Sequence, residues 1–148
     1  MKTALQLQYL WHDTDVLEIG ISASNGRFAA STSAYLSLDG LAEAATTVEG
    51  FPRNGSDMRE LRFGASGEEF AGGYAFLRFS CVDGPCHAEV VIHIEDKNTG
   101  PRPGHAVQSA HFFAWIEAAA VDDFVADLRK MDELKSGIAS LKLQKSTC

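Results

Sequence analysis

The sequence lacks most of the features by which a protein's chemistry is recognised. It has no apolar run of membrane-spanning length, and its 148 residues suit a single compact domain over residues 1–148. It contains no G-x-S-x-G elbow, H-E-x-x-H helix, P-loop or G-x-G-x-x-G turn followed by a helix. Internal repeats, low-complexity tracts and linkers are also missing. We therefore predict no catalytic residue and no cofactor, and expect a non-enzymatic protein.

Positive charge is also scarce, with 13 Lys and Arg against 20 Asp and Glu and a net charge of −7. Because gripping nucleic acid needs clustered Lys and Arg, we predict no nucleic-acid partner. The acidic balance suits a basic protein partner, although solubility alone would also account for it. The first segment, MKTALQLQYLWHD, alternates like a strand and not like a signal peptide, which predicts a cytoplasmic protein without a membrane partner.

Alternating apolar residues predict the first strand and a hairpin after it. Leu5, Leu7, Tyr9 and Trp11 share one face of the first strand. The next two strands flank Asn25-Gly26, a strong signal for a two-residue turn. A turn centred there sets the register, and it places four residue pairs on the core face. The predicted pairs are Ala23 with Phe28, Ile21 with Ala30, Ile19 with Thr32, and Leu17 with Ala34.

Two segments have helical periodicity. In LDGLAEAATTVEGFP, Asp39 is the predicted N-cap, and Gly50 ends the helix in a left-handed conformation with Phe51 folded back onto it. In AAAVDDFVADLRKM, an apolar stripe faces inward. The predicted stripe of this second helix consists of Val121, Phe124, Val125 and Leu128.

The remaining segments predict further strands joined mostly by tight turns. They are MRELRFG, YAFLRFSCV, HAEVVIHIE and AVQSAHFFAWIE, with a polar and mobile loop, DKNTGPRPGH, before the last. Tight turns favour antiparallel pairing, so we expect an α+β fold. Its sheet should be one strongly curved antiparallel meander of six or seven strands under two helices, unless it splits into two packed sheets. The tail, residues 133–148, either forms a short strand (SLKLQ) or frays.

The densest chemistry lies in CVDGPCH, residues 81–87. With Asp83-Gly84 as a two-residue turn, Cys81 and Cys86 face each other at about 4.5 Å between Cα atoms, within disulfide range. Pro85 opposes this turn because it has no N–H to close it. A metal site would need a second ligand cluster, and no metal is predicted. Cys86 and His87 are neighbours that point to opposite faces, which argues against a catalytic pair. A reduced thiol pair is favoured over a disulfide in a cytosolic protein.

Outward-facing aromatic and polar side chains form the candidate binding surface. Tyr35 and Trp115 lie off the apolar face of their strands, and His alternates with Glu on the valine-rich strand. Such a row would suit a protein partner, whereas a solvated face or a second core layer would show the same pattern. The candidate partner surface consists of Tyr35, His87, Glu89, His93, Glu95 and Trp115.

The order of these elements is similar to that of a bacterial group. EIGISASNGRFAASTSAYLSLDGLAEAATTVEGFPRNGSDMRELRFG gives a strand, an N-G-x-F hairpin, a strand ending near a Tyr, a helix and a G-F-P stop. A D-x-x-x-H turn (Asp83 to His87), a valine-rich strand and AWIEAAAVDDFVADLRKM follow. Over residues 16–131 the chain resembles the WapI-type immunity proteins of contact-dependent toxin systems and related small bacterial families of unknown function. The positions of the last helix that carry the resemblance are Ala120, Val121, Asp122, Phe124 and Leu128.

The resemblance implies a small binding protein that covers the surface of a cognate toxin. It includes neither the CVDGPC pair nor the tail, and it transfers no catalytic residue. We expect an acidic face to dock on a basic partner, steered by the net charge. Two other functions stay open from sequence: a homo-oligomeric structural domain with apolar edge strands at both ends, and an enzyme that uses the Cys86 and His87 region.

Overall fold

The fold consists of eight strands and two helices. It is given by a computed structural model that describes residues 3–67, 72–82, 87–97 and 107–144. The strands are β1 (Ala4–His12), β2 (Val16–Ser24), β3 (Ala29–Ser37), β4 (Met58–Gly64), β5 (Tyr74–Cys81), β6 (Ala88–Asp96), β7 (Gln108–Ile116) and β8 (Ile138–Lys142). The helices are α1 (Gly40–Val48) and α2 (Ala118–Leu134). The predicted mobile loop falls mostly on residues 98–106, which lie outside the described residues.

The strands form two antiparallel sheets of four, so the expected single curved sheet of six or seven strands is wrong. Sheet A has the order β3-β2-β1-β8, and sheet B has the order β4-β5-β6-β7. The α+β class and the antiparallel pairing are confirmed. The division follows from the helices: α1 separates β3 from β4, so these strands cannot form a hairpin, and α2 lets β8 return to pair with β1.

Two backbone contacts join the sheets. The N–H of Gly73, just before β5, donates to the carbonyl of Ser33 in β3 over 2.6 Å. Beyond β8, the N–H of Gln144 donates to the carbonyl of Trp115 in β7 over 2.8 Å. These two hydrogen bonds join the sheets at two different sides, and the inner faces of the sheets share one core.

A continuous hydrophobic core fills the space between the sheets and the helices. Sheet A contributes every second residue of its strands, and Leu5, Leu7 and Ile19 are fully buried. Sheet B contributes in the same alternating way, as the burial of Leu77 and Ile92 shows. This alternation follows the two-residue period of a strand, so the predicted inward positions of β2 are confirmed.

Both helices bury the stripes that their sequences predict. In α1 the buried residues include Leu41, Ala45 and Val48, and Gly50 follows with a φ of 77° as predicted. Asp39 is the N-cap residue, but its side chain makes no capping hydrogen bond. The predicted stripe of α2 is buried in full and extends to Met131.

The β2–β3 hairpin is paired two residues away from its predicted register. Ala23 pairs with Ala30 and Leu17 with Leu36, where Phe28 and Ala34 were expected. The reason is Asn25, whose side-chain carbonyl accepts the N–H groups of Arg27 and Phe28 at 2.9 Å, so the turn centres one residue later. A shift of two residues keeps every side chain on its face, so the predicted inward residues of β2 are buried. Phe28 is 63% exposed, and its expected place in the core is wrong.

Strand β1 contains a bulge that the alternation did not predict. Its pairing with β2 shifts between Tyr9 and Trp11, with Leu10 as the extra residue. Trp11 then pairs with Glu18 on the solvent side and is exposed, so its expected place beside Leu5 is wrong. An added residue reverses the facing of all that follow it in a strand.

The tail forms the strand that was one of its two predicted conformations. Residues Ile138–Lys142 pair with β1 from Ala4 to Gln8, and the last four residues lie outside the described part. Strand β1 is therefore interior to sheet A. The expectation of an open apolar edge at the N-terminal strand is wrong.

Candidate functional site

The strands on either side of CVDGPCH pair in a different register from the one that the sequence predicted. Cys81 pairs with Ala88, and the N–H of Val82 donates to the carbonyl of His87 over 2.8 Å. Four residues, 83–86, connect these positions and lie outside the described residues. The predicted pairing of Cys81 with Cys86 is therefore wrong, and the predicted Asp83-Gly84 turn lies outside the described residues. The missing N–H of Pro85 had already argued against that turn.

Cys81 is disulfide-bonded, whereas the sequence favoured reduced thiols. Its sulfur lies 3.5 Å from the carbonyl oxygen of Asn54, a packing contact because a disulfide sulfur has no proton to donate. Cys86 and Cys148, the other two cysteines of the chain, lie outside the described residues.

Five of the six predicted surface residues meet on the solvent side of sheet B, here called the sheet B face. Cross-strand pairing places Glu89 opposite Trp115 and His93 opposite His111. The neighbouring strands β4 and β5 add aromatic and charged side chains to the same side. The sheet B face consists of Met58, Glu60, Arg62, Tyr74, Phe76, Arg78, His87, Glu89, Val91, His93, Glu95, His111, Phe113 and Trp115.

Rings on this face contact one another and remain open to solvent. Phe113 is 50% exposed, and its ring meets that of Trp115 edge-on at 6.1 Å between centroids. The rings of His93 and His111 are 5.9 Å apart across the strands. Phe113 and His111 were not among the predicted residues, although their alternation with Trp115 along β7 places all three on one side.

Glu95 anchors one margin of the face. Its carboxylate is 3.0 Å from Nε2 of His93, and it accepts the hydroxyl of Ser66 at 2.8 Å and the N–H of Gly67 at 3.3 Å. Burial alone would raise the pKa of Glu95, but these contacts outweigh it and lower the pKa. Glu95 is thus a structural carboxylate that ties the β4–β5 connection to β6.

Within residues 3–67, 72–82, 87–97 and 107–144, no group of three or more His, Cys, Asp or Glu is placed to hold a metal ion. His87, Glu89, His93 and Glu95 are spread along one strand, and β6 advances about 3.4 Å per residue.

A cleft of about 620 Å³ lies at the end of the face. His87 and Trp115 line it together with Glu117 and Gln144. The side-chain amide of Gln144 donates to Glu117 over 3.0 Å, between β7 and the start of α2. The cleft joins the predicted His87 to the predicted Trp115, and it extends the sheet B face.

Tyr35, the sixth predicted residue, lies elsewhere. It is on the solvent side of sheet A, where its ring meets Trp11 edge-on at 6.2 Å between centroids. The bulge in β1 brings Trp11 and Leu10 to that side. Sequence reasoning missed both residues, although an apolar Leu10 at an outward position of the alternation was the available signal.

Comparison of the chain with family models, curated proteins and solved structures finds no match. Among the helices of the described segments, none is both long and apolar enough to cross a membrane.

Proposed function

We propose that this chain is a non-enzymatic binding protein that docks a partner protein on the sheet B face, in the manner of the toxin-immunity proteins that it resembles. The observation that supports this most is the exposed aromatic surface around Phe113 and Trp115. Aromatic side chains and Arg are enriched in protein interfaces, and Trp and Arg are frequent hot spots.

The arrangement of the face favours a protein over a small ligand. Four parallel rows of side chains cross the four strands of sheet B, which gives a broad surface. Its centre combines half-buried rings with the guanidinium of Arg62, which lies 4.8 Å from the ring centroid of Phe76. Rings that are already packed against neighbours lose little conformational freedom on binding, which favours affinity.

The net charge of the chain acts mainly on the rate at which a partner protein approaches. The net charge of −7 favours a basic protein and accelerates its encounter. The contact surface itself carries both signs, since Arg62 and Arg78 lie among Glu60, Glu89 and Glu95. A docked partner would cover its own functional surface, so inhibition by occlusion needs no catalytic group on this chain.

Binding to the product of the adjacent gene tests the proposal, with co-purification first and titration calorimetry second. We expect Phe113→Ala and Trp115→Ala each to raise the Kd at least about tenfold. Ile138→Ala is the matched control, because Ile138 is an exposed apolar residue on sheet A and its removal should leave the Kd unchanged. A neighbouring toxin that does not bind, or a Kd insensitive to Trp115→Ala, would reject the proposal.

A second copy of the chain is the alternative occupant of the face. Both charge signs on one surface allow self-complementary contacts about a two-fold axis. Light scattering at high protein concentration decides between the two. A dimer that Phe113→Ala converts to a monomer would assign the face to self-association, and a monomeric wild type would exclude it.

A further inference from the structure

Sheet A carries a second exposed surface with large apolar residues, here called the Trp11 patch. It consists of Leu10, Trp11, Glu18 and Tyr35. Leu10 and Trp11 are 45% and 42% exposed, although both are large apolar residues. They reach solvent together because the β1 bulge places them consecutively on the outer side, with Leu10 over Gly20. A regular strand would have turned Trp11 into the core, as its alternation predicts.

The geometry of the patch is held by contacts among its own members. The indole N–H of Trp11 donates to Oε1 of Glu18 over 2.6 Å. Tyr35 pairs with Glu18 across β2 and β3, and its ring meets the indole at 6.2 Å. The indole is thus held by a carboxylate at its N–H and by contact with a neighbouring ring. An aromatic surface fixed beside a carboxylate suits a cation with an aliphatic stem.

Acidic residues surround this end of sheet A. His12 pairs with Leu17, Val16 pairs with Ser37, and the N–H of Tyr9 donates to the carbonyl of Gly137. The β1–β2, β3–α1 and α2–β8 connections therefore meet at the same end. They contribute three carboxylates, those of Asp13, Asp15 and Asp39, and one cation, that of Lys135.

We infer that the Trp11 patch binds a Lys- and Arg-rich segment of a protein partner. The basic side chains lie across the indole and phenol rings, and their charges meet Glu18 and the surrounding Asp residues. Cation–π contact with Trp is the strongest of its kind, and the carboxylates supply the complementary charge. The patch lies on a different sheet from Phe113 and Trp115, so it binds independently of the proposed function.

Hexa-arginine is a suitable probe, because it presents the required charge without a folded partner. In the Trp115→Phe protein, Trp11 is the sole tryptophan, since the chain has only 2. We expect saturable change in its emission on titration with hexa-arginine, and none with hexa-glutamate. In the wild-type background, Trp11→Ala should raise the calorimetric Kd for hexa-arginine about fivefold or more. Leu10→Ala gives a second, milder test in case Trp11→Ala is poorly folded.

General attraction between an acidic protein and a basic peptide is the competing explanation. Two double variants that each remove two charges separate the explanations. The first combines Asp15→Asn with Glu18→Gln, and the second combines Asp122→Asn with Asp123→Asn on the exposed side of α2. We expect the first pair to raise the Kd about tenfold and the second less than about twofold. Equal losses in the two pairs, or unchanged binding by Trp11→Ala, would overturn the inference. Phe113→Ala should leave hexa-arginine binding intact, which separates this test from that of the sheet B face.

Discussion

At the scale of single residues, Arg59 joins β4 to the end of α1 and to the connection between them. Its guanidinium donates to the carbonyls of Thr47 at 3.2 Å and Glu49 at 2.6 Å, at the carboxyl end of α1, and pairs with Asp57 at 2.7 Å. It also lies 5.8 Å from the ring centroid of Phe51. Carbonyls at a helix end have no partner within the helix, and a cation there is favourable.

Replacement of Arg59 should therefore be costly. We expect Arg59→Met to lower the free energy of unfolding by about 2 kcal/mol, because it leaves Asp57 and the helix carbonyls without their donor. Arg62→Met on the same strand is the control. Its ion pair with Glu60 and its contact with the ring of Phe76 lie at the surface, and their loss should cost about 1 kcal/mol or less. Urea unfolding at neutral pH measures both, and equal effects would contradict this role of Arg59.

Asp57 gives the same cluster a pH dependence. The hydrogen bond from Arg59 holds the pKa of Asp57 below its ordinary value against the opposing effect of burial, and the N–H of Arg53 adds to it. A folded-state pKa below the unfolded one stabilises the protein fully above the unfolded value, about 3.9. The stabilisation is lost as the pH falls through the lower, folded pKa.

Acid unfolding of Asp57→Asn checks this sign. The variant should be less stable than the wild type at neutral pH, and the difference should shrink below about pH 3.9. Arg59→Met should flatten the profile in the same way, because it removes the group that lowers the pKa of Asp57. A gap between wild type and Asp57→Asn that stays constant down to the acid transition would contradict the assignment.

At the scale of elements, the sequence predicted both helices and the first seven strands, but it left the eighth strand open and did not predict every pairing. The stripes of α1 and α2 follow from periodicity alone, and they are buried as expected. Registers depend on turn geometry, and Asn25 moved one turn by binding the N–H groups of Arg27 and Phe28. The bulge at Leu10 left only one trace in the pattern, an apolar residue in a polar position.

The contact between the sheets depends on a glycine that no pattern singled out. A Cβ at Gly73 would collide with Oγ1 of Thr32 and lie 2.7 Å from the carbonyl oxygen of Ser33 and 2.9 Å from that of Glu95. We expect Gly73→Ala to lower the free energy of unfolding by about 2 kcal/mol or more, since backbone has to move. Gly20→Ala is the control, because its nearest neighbour is Leu10 at 3.8 Å. Equal stability of the Gly73→Ala and Gly20→Ala variants in thermal unfolding would argue against tight packing at Gly73 between the sheets.

At the scale of the whole molecule, the shared core predicts cooperative unfolding. Each sheet carries one tryptophan, Trp11 in sheet A and Trp115 in sheet B. Trp115→Phe and Trp11→Phe therefore give two proteins whose fluorescence reports on one sheet each. We expect each transition to coincide with that protein's own far-ultraviolet circular dichroism curve, as two-state unfolding requires. A fluorescence transition separate from the dichroism curve would show that the sheets unfold independently.

The arrangement of the whole molecule also limited how well the sequence could predict which site residues lie together. Alternation assigned His87, Glu89, His93, Glu95 and Trp115 to the outer side of their strands, and pairing then brought them together. Tyr35 was assigned to an outer side by the same reasoning and lies on the other sheet. Periodicity decides which side of a strand a residue faces, but only the connections decide which sheet contains the strand.

The edge of β7 that does not pair with β6 bears on how the protein avoids aggregation. Asn25 donates its side-chain amide to the carbonyl of Phe113 over 2.9 Å, and Gln144 donates to that of Trp115. A strand from another molecule would need these carbonyls to extend the sheet. With both carbonyls occupied, this part of the edge, beside the aromatic surface, cannot accept hydrogen bonds from a strand of another molecule.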